Sequence, residues 1–417
     1  MVDPPSMTDP WLFRAEVSLI VGALVVIVLW RLMLGLDRRG FTASYGLPVC
    51  VGFGLRLLAI AVAAAIPAIG HKLTTTDEAS FMATTRALAA LPLSSSKWLS
   101  MTVHWTEVIP WALTYKVFGY CGSFPLRLEQ IGLSLAAVIG ISATAGKVGG
   151  RRAGLIAAWI VAVEPSSVYF SGLLHQESLC MVGEALLVAA LVDAWMRDRP
   201  MWRPVCAGLV GLGLIFGTRS YMAFFAAVAA VLVLIGAGVC RRVGLSRGLA
   251  GLTAGAVLVA LAGILVAPHV VPGSLANLQH QLNLPYPGAN LPLPHTTVTT
   301  SGGLLKTAVL RSIDLLIRPF PWQIGSAAQK AAVVGTLVWY LLVIVALTLT
   351  VRQGLDGRLA PVLILVACET VGFALTLVDA GEGFRHRVNL VLLLAVPLGV
   401  LLDRWWSARG QRRLVAT

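Results

Sequence analysis

The run LPVCVGFGLRLLAIAVAAAIPAI (residues 47–69) is followed after a short gap by TTTDEASFMA (residues 74–83). The first stretch holds Arg56 as its one charge and is long enough to cross a hydrocarbon core, which takes about 20 apolar residues. The second places two adjacent carboxylates, Asp77 and Glu78, where the chain leaves the bilayer. Such a pair is either a solvated acidic helix start, complementing the helix dipole, or an acid/base site. The rest of the chain bears on which.

Composition sets the class. The 417 residues are 57% hydrophobic and 12% charged, and mean hydropathy is +0.83. A soluble domain carries about twice that charged fraction. Only helices, or a closed barrel, satisfy so much backbone inside a bilayer. About eleven runs are long enough to span: 17–36, 47–70, 128–146, 153–171, 177–196, 203–218, 221–240, 249–267, 329–350, 359–378 and 388–403. The expected fold is an all-α integral membrane bundle.

The net charge of +13 does not point to nucleic acid, because of where it lies. Arg38/Arg39, Lys147/Arg151/Arg152, Arg197/Arg199/Arg203, Arg241/Arg242/Arg247, Arg352/Arg358 and Arg404/Arg409/Arg412/Arg413 occupy alternate junctions between runs. This is the positive-inside pattern, which assigns those junctions to the cytoplasm. It places the N-terminus outside, the C-terminus inside, and the segment holding Asp77 and Glu78 outside. All seven histidines (His71, His104, His175, His269, His280, His295, His386) fall on the outer side as well. The basic clusters then meet anionic lipid.

The six cysteines are scattered, without CxxC or Cys/His spacing, so neither a zinc site nor a disulfide framework is indicated. Val17–Leu36 ends in Asp37-Arg38-Arg39 and reads as an uncleaved anchor rather than a signal peptide. Two outer loops, 71–127 and 268–328, are long, and long ordered loops are usually functional. The first contains Ile109–Tyr120, too short to span and expected to lie at the interface. The second ends in Leu304–Phe320, where Leu305, Val309, Ile313 and Leu316 form an apolar stripe opposite Lys306, Arg311 and Asp314. That pattern suggests a second interfacial helix, able to act as a lid. No internal repeat is evident, which weighs against a secondary transporter.

The DE pair on the first outer loop and the segment HWTEVIPWALTYKVFGYCGSFPLRLEQ, continuing through residue 179, resemble the GT-C-type membrane glycosyltransferases. The similarity is to the protein O-mannosyltransferases and lipid A aminoarabinose transferases. IRPFPWQIGSAAQ (317–329) and GEGFRHRVNLVLLLAVPLG (381–399) are similar to related bacterial proteins. One departure is that Trp105-Thr106 stand where relatives carry prolines after the histidine. The resemblance implies transfer of a sugar from a polyprenyl-phosphate-linked donor to an acceptor hydroxyl at the outer face of a membrane, here a bacterial plasma membrane. It implies Asp77 as general base with Glu78 as its orienting or acceptor-binding neighbour, and inversion at the anomeric carbon.

The residues fit that chemistry. A departing phosphate needs fixed cations, and guanidinium forks bind phosphate bidentately and stay charged when partly desolvated. Arg219 in the tight turn GTRSY, and Arg385 and Arg387 flanking His386 before the last run, are the outer-side candidates. The other reading of Arg385 and Arg387 is snorkelling to headgroups. Charges kept near membrane depth are rare, which favours a substrate-binding role for Glu177 with His175. His104, Glu107 and His386 join them as substrate-binding candidates. Arg127 reads as an interfacial anchor, and Glu184, Glu369 and Arg56 as paired groups holding helices together.

No cofactor is required by this scheme. A divalent metal stays an option, since His71, Asp77, Glu78, His104, Glu107 and His175 could converge, although no tight ligand spacing is present. Two other classes stay open: a ligase or polymerase using a diphosphate-linked glycan donor, and a transporter or flippase of lipid-linked substrates. The expected architecture is one domain over 1–417, with a cleft between loops 71–127 and 268–328 and no separate soluble domain. The acceptor (protein, lipid, glycan or secondary metabolite) and the sugar are not written in the sequence.

Overall fold

The computed structural model describes residues 11–37, 45–66, 76–101, 106–196, 202–243, 293, 298, 300–323, 327–354, 356–377 and 380–415. The expected span 249–267, most of loop 268–328, and His71 and His104 lie outside them. The described chain is helical with no strand. Its helices are α1 (Trp11–Asp37), α2 (Gly46–Ala65), α3 (Thr76–Ala90), α4 (Lys97–Met101), α5 (Val108–Phe118), α6 (Phe124–Gly149), α7 (Arg151–Val163) and α8 (Pro165–Phe170). They continue with α9 (Glu177–Met196), α10 (Trp202–Thr218), α11 (Ser220–Val243), α12 (Ser301–Ile317), α13 (Ala327–Gln353), α14 (Ala360–Thr376) and α15 (Ala380–Val415). Eight described helices are long and apolar enough to cross a membrane.

Helices α6, α9 and α15 form the buried centre, whereas α1, α2 and α13 present most of their apolar surface outward. On α1, Val17, Val21 and Leu29 face the bundle, while Leu19, Leu24 and Ile27 are exposed. Lipid is as apolar as a protein core, so close helix packing rests on small residues rather than on hydrophobic burial. The α9–α10 contact illustrates this: a Cβ built on Gly211 would lie 2.6 Å from the Gly183 carbonyl oxygen.

The expected span 153–171 is broken in two. Glu164, in extended conformation, caps α8, its carboxylate accepting from the backbone N–H groups of Ser166 (3.0 Å) and Ser167 (2.6 Å). Pro165 occupies the first position of α8, where a missing N–H costs nothing. Arg56, fully buried on α2, holds this break in place. It donates to Ser134, Ser167 and Ser171 hydroxyls and to the Gly52 and Ala162 carbonyls. The expectation that Arg56 ties helices together is met without a carboxylate bonded to it among the described residues.

Basic residues gather at one end of the bundle. Lys147 pairs with Asp193, Arg152 with Asp403, and both Arg358 and Arg404 with Asp356. Asp193 and Glu177 lie near opposite ends of α9, about 24 Å apart at 1.5 Å per residue. Glu177 therefore marks the other end, where the remaining candidate residues collect.

Helix α12 keeps the expected apolar stripe on one exposed face but buries Arg311, which was expected on the polar face opposite. Leu305, Val309 and Ile313 face outward, while Leu304, Ala308, Arg311 and Leu315 are buried against α14 and α15. Of its charged residues Arg311 alone turns fully inward, while Lys306 stays exposed. Its last carbonyls are all capped by side chains. Arg387 donates from Nε to Leu315 O (2.7 Å) and from a terminal nitrogen to Arg318 O, Trp339 Nε1 donates to Leu316 O (2.7 Å), and Tyr340 to Ile317 O. The orphan carbonyls of a helix C-terminus are thus tied to α13 and α15.

Candidate active site

Helix α3 carries the DE pair. Asp77 lies in its first turn, and its side chain is outside what the structure describes. Glu78 is buried and ion-paired with Arg127 at the start of α6. Arg127 also donates to Gly172 O at 2.8 Å, so one guanidinium joins α3 to the turn that leads into α9. Burial pushes the Glu78 carboxyl above its ordinary value, opposed by Arg127 and by the Leu174 N–H. Phe81, one turn further along α3, meets His175 edge-on at 6.4 Å and Trp111 of α5 at 6.2 Å. Arg127, read from sequence as an interfacial anchor, is instead the buried post on which the DE helix is docked.

Beside this turn stands a charge cluster drawn from three elements. Glu177, fully buried at the start of α9, accepts on one oxygen, Oε1, from Arg219 and from Arg385. Arg219 sits at the break between α10 and α11, created where Thr218 turns its hydroxyl back onto Leu214 O (3.0 Å). Its second terminal nitrogen reaches His386 Nδ1 at 2.6 Å and the Tyr221 hydroxyl at 3.2 Å. Phe373 of α14 forms a floor: the His386 ring stacks on it at 4.4 Å and the Arg219 guanidinium lies 5.6 Å from its centroid.

Glu107 completes the group. It lies in the turn before α5, fully buried, and neither carboxylate oxygen has a hydrogen-bond partner among the described residues. Burial and the neighbouring Glu177 hold its carboxyl well above the usual carboxylate range, against the pull of Arg219 and Arg385. The turn is anchored on α10: Thr106 N–H donates to Gly217 O at 3.1 Å. The Thr106 hydroxyl occupies the space where a side chain at Gly217 would stand, 1.8 Å from the built Cβ position.

A polar track continues from Glu177 into the bundle along one face of α9. Cys180 lies 3.7 Å from Glu184 Oε1, and Asn389 Nδ2 lies 3.6 Å from Cys180 Sγ. Glu369 is fully buried on α14, without a hydrogen-bond partner among the described residues.

Glu78, Glu107, His175, Glu177, Arg219, Arg385 and His386 thus come together at one end of the bundle. Arg387 does not join them through its bonded atoms: two of its nitrogens are engaged on the carbonyls of Leu315 and Arg318. Phe373 was missed, since an aromatic residue in an apolar run carries no signal of its own. Arg127 was undervalued because nothing near it in sequence reveals its partner. Among the described residues no set of three or more His, Cys, Asp or Glu side chains gathers as metal ligands.

Chemically, the buried Arg219 and the partly buried Arg385 converging on a single oxygen form a site for an anionic oxygen, next to a Glu107 carboxyl that is unbonded among the described residues and suited to a hydroxyl. No curated protein matches the chain, and no solved structure does. Residues 107–271 match the family model described as dolichyl-phosphate-mannose-protein mannosyltransferase. That stretch holds Glu107, Arg127, His175, Glu177 and Arg219, and through it the chain is similar to that family.

Proposed function

We propose that this protein transfers a sugar from a polyprenyl-phosphate-linked donor to an acceptor hydroxyl at the outer face of the membrane, with inversion. The observation that carries the reading is the convergence of Arg219 and Arg385 on one buried oxygen of Glu177, beside the helix that bears Asp77. In this scheme the two guanidiniums bind the donor phosphate and offset the charge that builds on it as the bond to the sugar breaks. Asp77 takes the acceptor proton. Glu78, locked to Arg127, fixes the helix that presents Asp77, and so acts as a positioning residue. Glu107 and His386 face the same cluster and serve as hydrogen-bonding groups for donor or acceptor. The arginines perform the neutralisation that a divalent ion would otherwise supply. The acceptor is a hydroxyl compound: a protein, a lipid, a glycan or a secondary metabolite.

The test is turnover by the full chain in lipid nanodiscs against a panel of polyprenyl-phosphate sugars, with and without a chelator. One donor is expected to be consumed with release of polyprenyl phosphate, in chelator as well as without it, and consumption is lost in Asp77→Asn. Normal turnover by Asp77→Asn, or no binding of any polyprenyl phosphate, overturns the reading.

A further inference from the structure

We infer that Glu177 is a counter-charge that matches the phosphate site to a singly charged phosphodiester and works against doubly charged phosphates. The inference rests on the reading above, in which Arg219 and Arg385 bind the donor phosphate.

The bonded cluster contains two guanidiniums and one carboxylate, so it carries one net positive charge. His175 acts on Glu177, and Glu184 and Glu369 act on Arg219, from outside this bonded set. A guanidinium N–H only donates, so His386 Nδ1 accepts from Arg219 and the ring is the neutral tautomer with its proton on Nε2. Glu107 is buried and unbonded among the described residues, and burial with the neighbouring Glu177 holds its carboxyl well above the usual carboxylate range. Glu177 itself is fully buried, and its Oε2 has no hydrogen-bond partner among the described residues. It therefore lies away from bulk solvent, next to any anion held by the same two arginines. In a site of low dielectric an uncompensated charge is costly, so the ligand best accepted is a monoanion.

The reaction changes that charge. The bond between the anomeric carbon and the phosphate oxygen breaks, and its electron pair stays on the phosphate. The acceptor oxygen bonds to the anomeric carbon, and its proton passes to the Asp77 carboxylate. A phosphodiester with one negative charge thereby becomes a phosphomonoester with two. The donor balances the cluster, whereas the product exceeds it by one charge and is repelled by Glu177. The same carboxylate therefore discriminates against diphosphate-linked donors and speeds release of polyprenyl phosphate.

The experiment compares binding of two sugar-free probes, a methyl polyprenyl phosphate (diester) and the corresponding polyprenyl phosphate (monoester), to the full chain in nanodiscs. At pH 8 the monoester is a dianion and at pH 5 a monoanion, its second pKa being about 6. Wild type is expected to prefer the diester at pH 8 and to lose most of that preference at pH 5. Glu177→Gln shifts the ratio toward the monoester by roughly 100- to 1,000-fold at pH 8, the effect of one charge about 4–6 Å away at an effective dielectric of about 20. At pH 5 the shift is absent, and Glu177→Asp restores the wild-type ratio. A merely structural Glu177 would weaken both probes together at both pH values. If both probes bind wild type but the ratio does not change with pH, the inference is overturned while the phosphate site stands; that comparison needs no variant. An unchanged ratio in a folded Glu177→Gln overturns it equally. If neither probe binds wild type, the phosphate reading falls and this inference falls with it.

Discussion

Replacing Gly217 by alanine places a methyl carbon 1.8 Å from the Thr106 hydroxyl oxygen and 2.9 Å from its Cβ. A carbon and an oxygen in contact need roughly 3.2–3.5 Å, so the Thr106–Glu107 turn must withdraw by about 1.5 Å or α10 must shift. Overpacking of this kind costs about 1–3 kcal/mol. The greater consequence is positional. The same turn donates to Gly217 O and carries Glu107 into the cluster of Arg219, Glu177 and Arg385. A displacement of about 1 Å in a group that orients substrate costs roughly 100-fold in rate. Gly217→Ala is therefore expected to lower kcat/KM by about two orders of magnitude while the chain stays folded. The clash is local, so Thr106→Gly, which removes the opposing atoms, is expected to recover most of the loss in the double variant. The assay is donor consumption in nanodiscs for the two single variants and the double, read as a cycle. Full activity in Gly217→Ala, or losses that simply add in the double variant, would refute the reasoning.

Three further outcomes follow from the buried charges. Arg127→Met leaves Glu78 buried without its cation and is expected to cost roughly 3–5 kcal/mol; Glu78→Gln in the same chain recovers part of it, measured by thermal unfolding. The Glu107 carboxyl is raised in the folded chain, so between the ordinary carboxylate value and the raised one the folded form binds a proton that the unfolded form has lost. Stability then falls as pH rises through that window, and the slope is flattened in Glu107→Gln; a wild-type midpoint that climbs with pH there, or an unflattened variant, contradicts this. Arg387→Gln frees the carbonyls at the end of α12 and is expected to cost about 2–3 kcal/mol, with donor affinity changed less than that in Arg219→Gln. A larger loss of donor affinity in Arg387→Gln would return Arg387 to the phosphate site.

The break in the expected span 153–171 was legible in principle, because Glu164-Pro165-Ser166-Ser167 is a capping acid followed by a proline at the first helical position. On α12 the apolar stripe was legible, since Leu305, Val309 and Ile313 are exposed as an interfacial helix requires; the burial of Arg311 was not, because its surroundings on α14 and α15 lie far away in the sequence.

By itself the sequence determined the class, most of the spans and the end of the bundle at which Glu78, Glu107, Glu177, Arg219 and Arg385 gather. Hydropathy and basic-residue placement are local properties, read a window at a time. Only the tertiary structure decided which buried charges meet. Glu177 and Arg219 are 42 residues apart, Arg219 and His386 are 167, and Glu177 and Arg385 are 208. It also separated Arg385 from Arg387, near neighbours of the same type on one helix. A helix turns about 100° per residue, so two positions along the side chain faces α12, whose carbonyls must be bonded once water is excluded, and not the carboxylate of α9.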